Sequence, residues 1–333
     1  MNTRSALNTI GIVATLAWLG ATTATAKKPG GGELPKELIY FSVDGDSWQM
    51  EVDGSGKTAL GIGYFGSGAE PSHETHDATR LFLTSGTGQT VAVYRPGASP
   101  ITLLEPGDDG DWAVNWDGAF RWVFNGASRD GAISWHATHP SGDQAVVRAD
   151  VVYDVTTGEI VGIDLDSIEH FIGIGERYDW SPDGTMIVFH DNNVEQLDGL
   201  VEIYDTITQA FTPLPIVQAW NRIEWSPDGM KIAYTMLDQE EDTTQVEVFD
   251  LSDNSITAVA NGKLGGAAGG TVVYMPHWSP DSKSLVYVRW ERRSFSESQD
   301  LIKVSATGKG QADKLTTDID YGLGSWVLCW RDT

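Results

Sequence analysis

"DWSPDGTMIVF" (residues 179–189) is written twice more in the chain, as "EWSPDGMKIAY" at 224–234 and "HWSPDSKSLVY" at 277–287. An active site is needed once, so a block that recurs belongs to the architecture. With the Asp of each block as register, Asp183, Asp228 and Asp281 lie 45 and 53 residues apart. Two degenerate copies precede them: "HETHDATRLFL" aligns Asp77, and "NWDGAFRWVF" aligns Asp117. A last one, "CWRDT", repeats Trp330 and Asp332 and stops. The chemistry of the block is that of a tight turn between two strands. Pro fixes φ, Asp caps the turn and Gly supplies positive φ. Trp180, Trp225 and Trp278, just ahead of the turn, are bulky enough to fill the gap between neighbouring sheets.

The chain downstream of each block is equally regular. A β-rich strand (186–189, 232–235, 285–288) leads to an alternating one, "VEIYD" at 201–205 or "VEVFD" at 246–250. A third comes next, "FTPL" at 211–214 or "ITAVA" at 256–260, and the segment before each Trp supplies the fourth. Four short antiparallel strands per unit make a propeller blade. The ends of the chain hold complementary fragments. Residues 38–61 contain the second to fourth strands of a unit, and "GSWVLCWRDT" contains only a first. The expected fold is all-β, a six-bladed propeller closed by the C-terminal strand joining the N-terminal blade. The long interval from Asp117 to Asp183 places an insertion at 126–144, in the third blade; a seventh blade is the alternative.

Composition agrees. Among 333 residues there are 37 Gly and 13 Trp, which suits short strands, tight turns and wedges rather than helices. The first residues read as an export signal: "MNTR", an apolar run "IGIVATLAWLG" too short to span a bilayer, and "ATTATA" with cleavage expected after Ala26. Residues 27–36 read as a flexible lead-in, and 37–333 as the propeller. No membrane insertion is expected after cleavage, and the expected location is the periplasm or the medium. Cys329 is alone, so packing and not a disulfide must hold the fold. Without the signal, 47 acidic side chains face 21 basic ones. Such a charge argues against nucleic acid and anionic lipid, and permits cationic ligands or a basic protein.

The Trp-Ser-Pro-Asp-Gly blocks, with "DGDSWQMEVDGSGKTAL" (44–60) and "ADKLTTD" (312–318), resemble the Pro-Asp repeats of TolB-like propellers. The resemblance covers about residues 37–333. It is sharpest over the last three blades. It implies a periplasmic-type six-bladed propeller working as a binding scaffold, and the expectation is a non-catalytic monomer that holds a protein or glycan partner. The chain leaves little room for a preceding α/β domain. It is also similar to the N-terminal propellers of prolyl peptidases, and no stretch reads as their hydrolase domain.

Candidate binding residues come from the propeller geometry. Loops that lead into the innermost strands surround one mouth of the channel. They place Glu70, Ser72, Asp111, Trp112, Glu176, Arg177, Asn221, Arg222, Tyr274, Tyr321 and Trp326 at that mouth. Paired arginines suit a carboxylate, and Trp or Tyr suits a sugar ring or a flat side chain. The alternative is a wet channel whose acids and arginines pair with each other. No cofactor is expected. A second functional reading is a metal-assisted lyase or hydrolase acting on a glycan, with His73, His76, His136 or His139 holding a divalent ion. No catalytic nucleophile or carboxylate pair emerges from spacing. "GSGKT" (54–58) lacks the earlier Gly of a phosphate loop and reads as a β-turn. "SVDGD" (42–46) and "GDDGD" (107–111) lack the spacing of a calcium loop.

Overall fold

The computed structural model describes residues 37–332 except 44–45, 64–70, 75–79, 85–89, 95–100, 106, 115–120, 125–129, 175–176, 191–199, 266–268, 294–295 and 317–325. The expected signal and lead-in therefore lie outside the described residues. So do Asp77 and Asp117. Everything described is strand, turn or loop apart from one 3-10 turn at Leu165–Ser167. Among the described residues no helix is long and apolar enough to cross a membrane.

All strand pairs are antiparallel, in chain order within five sheets. The first sheet holds β1 (Glu37–Val43), β2 (Asp46–Glu51) and β3 (Thr58–Gly63). The second holds β4 (Pro71–Glu74), β5 (Arg80–Thr84), β6 (Thr90–Tyr94) and β7 (Ile101–Leu104). In the third, β8 (Ala113–Val114) and β9 (Arg121–Phe124) both pair with β10 (Asp130–Thr138). Next comes β11 (Gln144–Tyr153), whose other edge is shared by β12 (Ile160–Ile163) and β13 (Glu169–Ile172). The fourth holds β14 (Arg177–Trp180), β15 (Met186–His190), β16 (Val201–Asp205) and β17 (Ala210–Pro213). Eight strands form the fifth: β18 (Ala219–Trp225), β19 (Lys231–Asp238), β20 (Thr243–Asp250), β21 (Ser255–Lys263), β22 (Gly269–Trp278), β23 (Ser284–Arg293), β24 (Ser296–Ser305) and β25 (Asp313–Lys314). The last strand, β26 (Trp326–Asp332), pairs with β1 at the edge of the first sheet.

Two sequence expectations need correction in the third sheet. Residues 130–138 and 144–153 are its long central strands, so 126–144 is not an insertion, and no further sheet is made from it. Moreover "RWVF" at 121–124 is an inner strand in contact with β4 and β14, where the register on Asp117 makes it the strand after the turn. The first error has a plain cause. Ala132–Ala137 are buried on both faces of β10, so the period-2 alternation that marks a half-exposed strand is missing.

The core is divided among the gaps between sheets, as it must be when both faces of a sheet are covered. Leu103, Leu104, Trp135 and Val147 fill one gap, between the second and third sheets. Val123, Val146, Trp180 and Phe189 fill the next. Val188, Ile203, Trp225 and Phe249 occupy another, and Ala233, Val248, Trp278 and Leu285 the one after it. Ile39, Phe41 and Met50 of the first sheet meet Met275, Val286 and Val288. Each Trp of the intact blocks is at most 4% exposed and packs against the preceding group of strands.

The turns are built alike. Ser181, Ser226 and Ser279 donate their hydroxyls to Asp183, Asp228 and Asp281 at 2.6–2.7 Å. The same oxygens accept the amides of Met186, Lys231 and Ser284 at 2.8–2.9 Å. Positive φ falls on Gly184 and Gly229, and in the third copy on Ser282. Ser282 compensates for its strained backbone by accepting the Asp228 amide of the neighbouring turn at 3.0 Å.

Candidate functional site

The innermost strands touch in succession: β4 with β9, β9 with β14, β14 with β18, β18 with β22, β22 with β26, and β26 with β4. Since each block Trp turns back toward the preceding sheet, strand alternation turns the residue before it toward the next one. That residue is Asp179, Glu224 or His277, each at most 9% exposed. Asp179 meets Arg121 of β9 at 3.2 Å and accepts the Trp225 amide at 2.7 Å. Glu224 has Arg222 Nε at 3.6 Å and His277 Nδ1 at 3.2 Å, ion-pair distances without hydrogen-bond alignment. Its backbone carbonyl accepts Trp278 Nε1 at 3.2 Å. Burial pushes the Asp179 carboxyl up to about 6, against the pull of Arg121. Burial likewise pushes Glu224 up to about 7, against Arg222 and Arg121. These four inner-strand groups are the ones that sequence spacing misses. The signal was present in the repeat: one charged or imidazole residue, at one offset, inside an apolar strand.

Toward the beginning of the same strands the ladder is interrupted. β-bulges lie between Trp220 and Ile223 on β18, and between Tyr274 and His277 on β22, where Met275 has positive φ. Such bulges re-aim the side chains that precede them. Trp220 and Tyr274, on adjacent strands, lie with ring centroids 6.4 Å apart at 46°. Burial pushes the Tyr274 phenol up to about 12. Arg177 and Arg222 occupy equal positions, three residues before Trp180 and Trp225, on touching strands. Both are partly exposed. Trp220 is an addition to the residues named from sequence.

The other candidates are scattered. Glu70, Glu176, Tyr321 and His76 lie outside the described residues. Ser72 and His73 are on β4, Asn221 on β18, and Trp326 begins β26. Asp111 is exposed. Trp112 packs against the core group of Leu103 and Trp135, stacked on His170 of β13 (4.6 Å, 27°) and tilted against His139 (5.3 Å). Asp109 holds His170 Nε2 at 3.0 Å, and burial raises its carboxyl pKa.

His136 and His139 do not converge. His136 lies within β10, whereas His139 lies just past its end, in the turn to β11. His136 is wholly buried with Nε2 3.3 Å from the Ile174 carbonyl, and burial lowers its pKa to about 4. His139 Nδ1 lies 2.7 Å from Ser141 Oγ in the surface turn. Ser141 donates to Asp143 at 2.7 Å, so the carboxylate engages the hydroxyl and not the imidazole, unlike a hydrolase triad. Among the described residues no three His, Cys, Asp or Glu side chains assemble as a metal set.

No known family profile and no curated protein sequence matches the chain. Solved structures do. TolB from Acinetobacter baumannii aligns with a TM-score of 0.55 over 90% of this chain and 67% of that one, at 12% identity. The putative TolB from Agrobacterium tumefaciens aligns with a TM-score of 0.51 over 86% and 90%, at 14% identity. At such identities the likeness speaks for the fold alone, and that fold is the TolB-like β-propeller.

Proposed function

We propose that this chain is an exported, monomeric, non-catalytic propeller that holds a protein or glycan partner at the mouth where its inner strands begin. The export reading rests on the N-terminal sequence pattern. Six blades are counted by dividing the eight-stranded sheet at its single rung, Lys263 opposite Thr271. The ring closes through β26, which reaches β1 by pairing and both β4 and β22 by contact.

One observation carries the binding reading. Past the ladder bulges, Trp220 and Tyr274 form an aromatic pair beside Arg177 and Arg222, on strands that touch. Two rings offer stacking area and the guanidiniums offer carboxylate recognition. The deeper acids are held in cross-strand ion pairs, a joint between blades and not a reacting pair. Arg222 belongs partly to that joint through Glu224, so it is a poor probe of binding.

The test uses Arg177→Ala with Trp220→Ala, screened with wild type against periplasmic extract and a glycan array. The double variant is expected to lose at least about tenfold in affinity for whatever the wild type captures. Its Tm should fall by no more than about 3 °C. Undiminished capture would remove the mouth as the site.

A further inference from the structure

The hairpin of β11 and β12 reaches past its own sheet and shows two unlike faces. Ala149, Val151, Ile160 and Ile163 pack into the apolar gap shared with β7. Val152 points to the other side, opposite Gly162 in the cross-strand register. It is 40% exposed, the bulged Val161 is 51% exposed, and Val155 at the tip is fully exposed. Above Gly162 the space is open, since a Cβ built there would meet nothing within 4 Å. Three exposed valines and a bare glycine thus make a shallow apolar shelf on the paired β11 and β12.

Its charge is one-sided. Residues 149–168 contain Asp150, Asp154, Glu159, Asp164 and Asp166 and no Lys or Arg. Arg148, at the border, is already taken up by Asp150 at 3.8 Å and by the Trp180 ring at 5.8 Å. Backbone amides of Thr157 and Thr156 and the Thr157 hydroxyl hold the Asp154 carboxyl below its usual range, so its charge persists in mild acid. An apolar strip rimmed by carboxylates repels a second copy of this chain, whose net charge is −25, and repels anionic lipid equally.

We propose that this hairpin face is a docking surface for a basic segment of a protein partner, extended and alternating Lys or Arg with aliphatic side chains. Its apolar residues cover Val152, Val161 and Gly162 while its cations meet the surrounding carboxylates. The surface is separate from the mouth at Trp220 and Tyr274, so either can hold without the other.

The probe is a short, end-capped, fluorescein-labelled peptide alternating Lys and Val, titrated by anisotropy against the full chain at about 0.15 M salt. It is expected to bind, while a Lys–Ser peptide of equal length and charge binds at least about tenfold more weakly. Val152→Lys and Gly162→Lys should each weaken the Lys–Val peptide by about tenfold or more. Gly162→Lys has room for its side chain and should leave Tm unchanged, so it keeps the test valid if Val152→Lys destabilises the hairpin. Trp220→Ala should have no effect on this peptide. Absence of Lys–Val binding up to about 1 mM, equal binding of the Lys–Ser peptide, or wild-type binding by Gly162→Lys would each overturn the proposal. Loss of binding in Trp220→Ala would also overturn it, by moving the peptide to the mouth.

Discussion

Just ahead of the block tryptophans, Asp179 sits beside Arg121, and Glu224 beside Arg222 and His277, in places that water barely reaches. Both carboxyls hold their protons more tightly in the folded chain than in the unfolded one. Their folded values are about 6 and about 7, against ordinary values of 3.8 and 4.5. Their stabilising contribution is therefore complete below about pH 4 and is lost as pH rises through 6 and 7. His136 acts in the opposite sense. Burial depresses it from 6.5 to about 4, so its contribution is present above 6.5 and lost as pH falls through 4. Glu224→Gln isolates one of these effects. Relative to wild type the variant should gain about 2–3 kcal/mol as pH rises from 4.5 to 7, read from urea melts across that range. A constant difference would mean that folding leaves the Glu224 carboxyl unshifted. These residues also mark the limit of what the sequence makes legible. Trp and Ser-Pro-Asp-Gly advertise a local turn, whereas Arg121 and Trp225 reach Asp179, and His277 reaches Glu224, from other strands more than 45 residues away.

Among the elements, the innermost strand bears the most, because it contacts its counterparts on both sides. Trp225 lies at the end of β18, packed with Val188, Val201 and Ile203 of the preceding sheet, and is 4% exposed. Trp225→Ala should cost roughly 3–5 kcal/mol, the usual result of emptying a large aromatic position, measured by denaturant unfolding. A loss under about 1 kcal/mol would mean that the neighbouring sheets close over the gap. The three intact blocks made these strands readable. The third sheet was not readable in the same way, since Arg121–Phe124 is followed by "NGASRDG" in place of Ser-Pro-Asp-Gly. Its outermost position is also divided between β12 and β13, which hides one strand as two. Likewise the docking hairpin has no motif: it is seen only when exposure shows which valines face outward.

At the scale of the whole molecule, the longest-range pairing is that of β26 with β1. Removing residues 326–332 leaves β1 with an open edge and takes from β4 and β22 the strand that touches both of them. The truncated chain should lose its cooperative thermal transition, monitored by tryptophan fluorescence. An unchanged transition would show that the first sheet stands without β26. A different kind of join links the two halves of the eight-stranded sheet. There Thr235 and Thr244 hydroxyls accept the amides of Met275 and Val273, and Lys263 pairs with Thr271. A Cβ on Gly262 would lie 2.5 Å from the Thr271 carbonyl oxygen, and one on Gly270 would lie 2.6 Å from that of Lys263. At these two glycines the approach is thus set by peptide groups in contact, with no room for a side chain. Descent by copying can move a Trp-Ser-Pro-Asp block to any position in such a ring. This seam can be inherited only together with its glycines, and mutation there has no small steps to take.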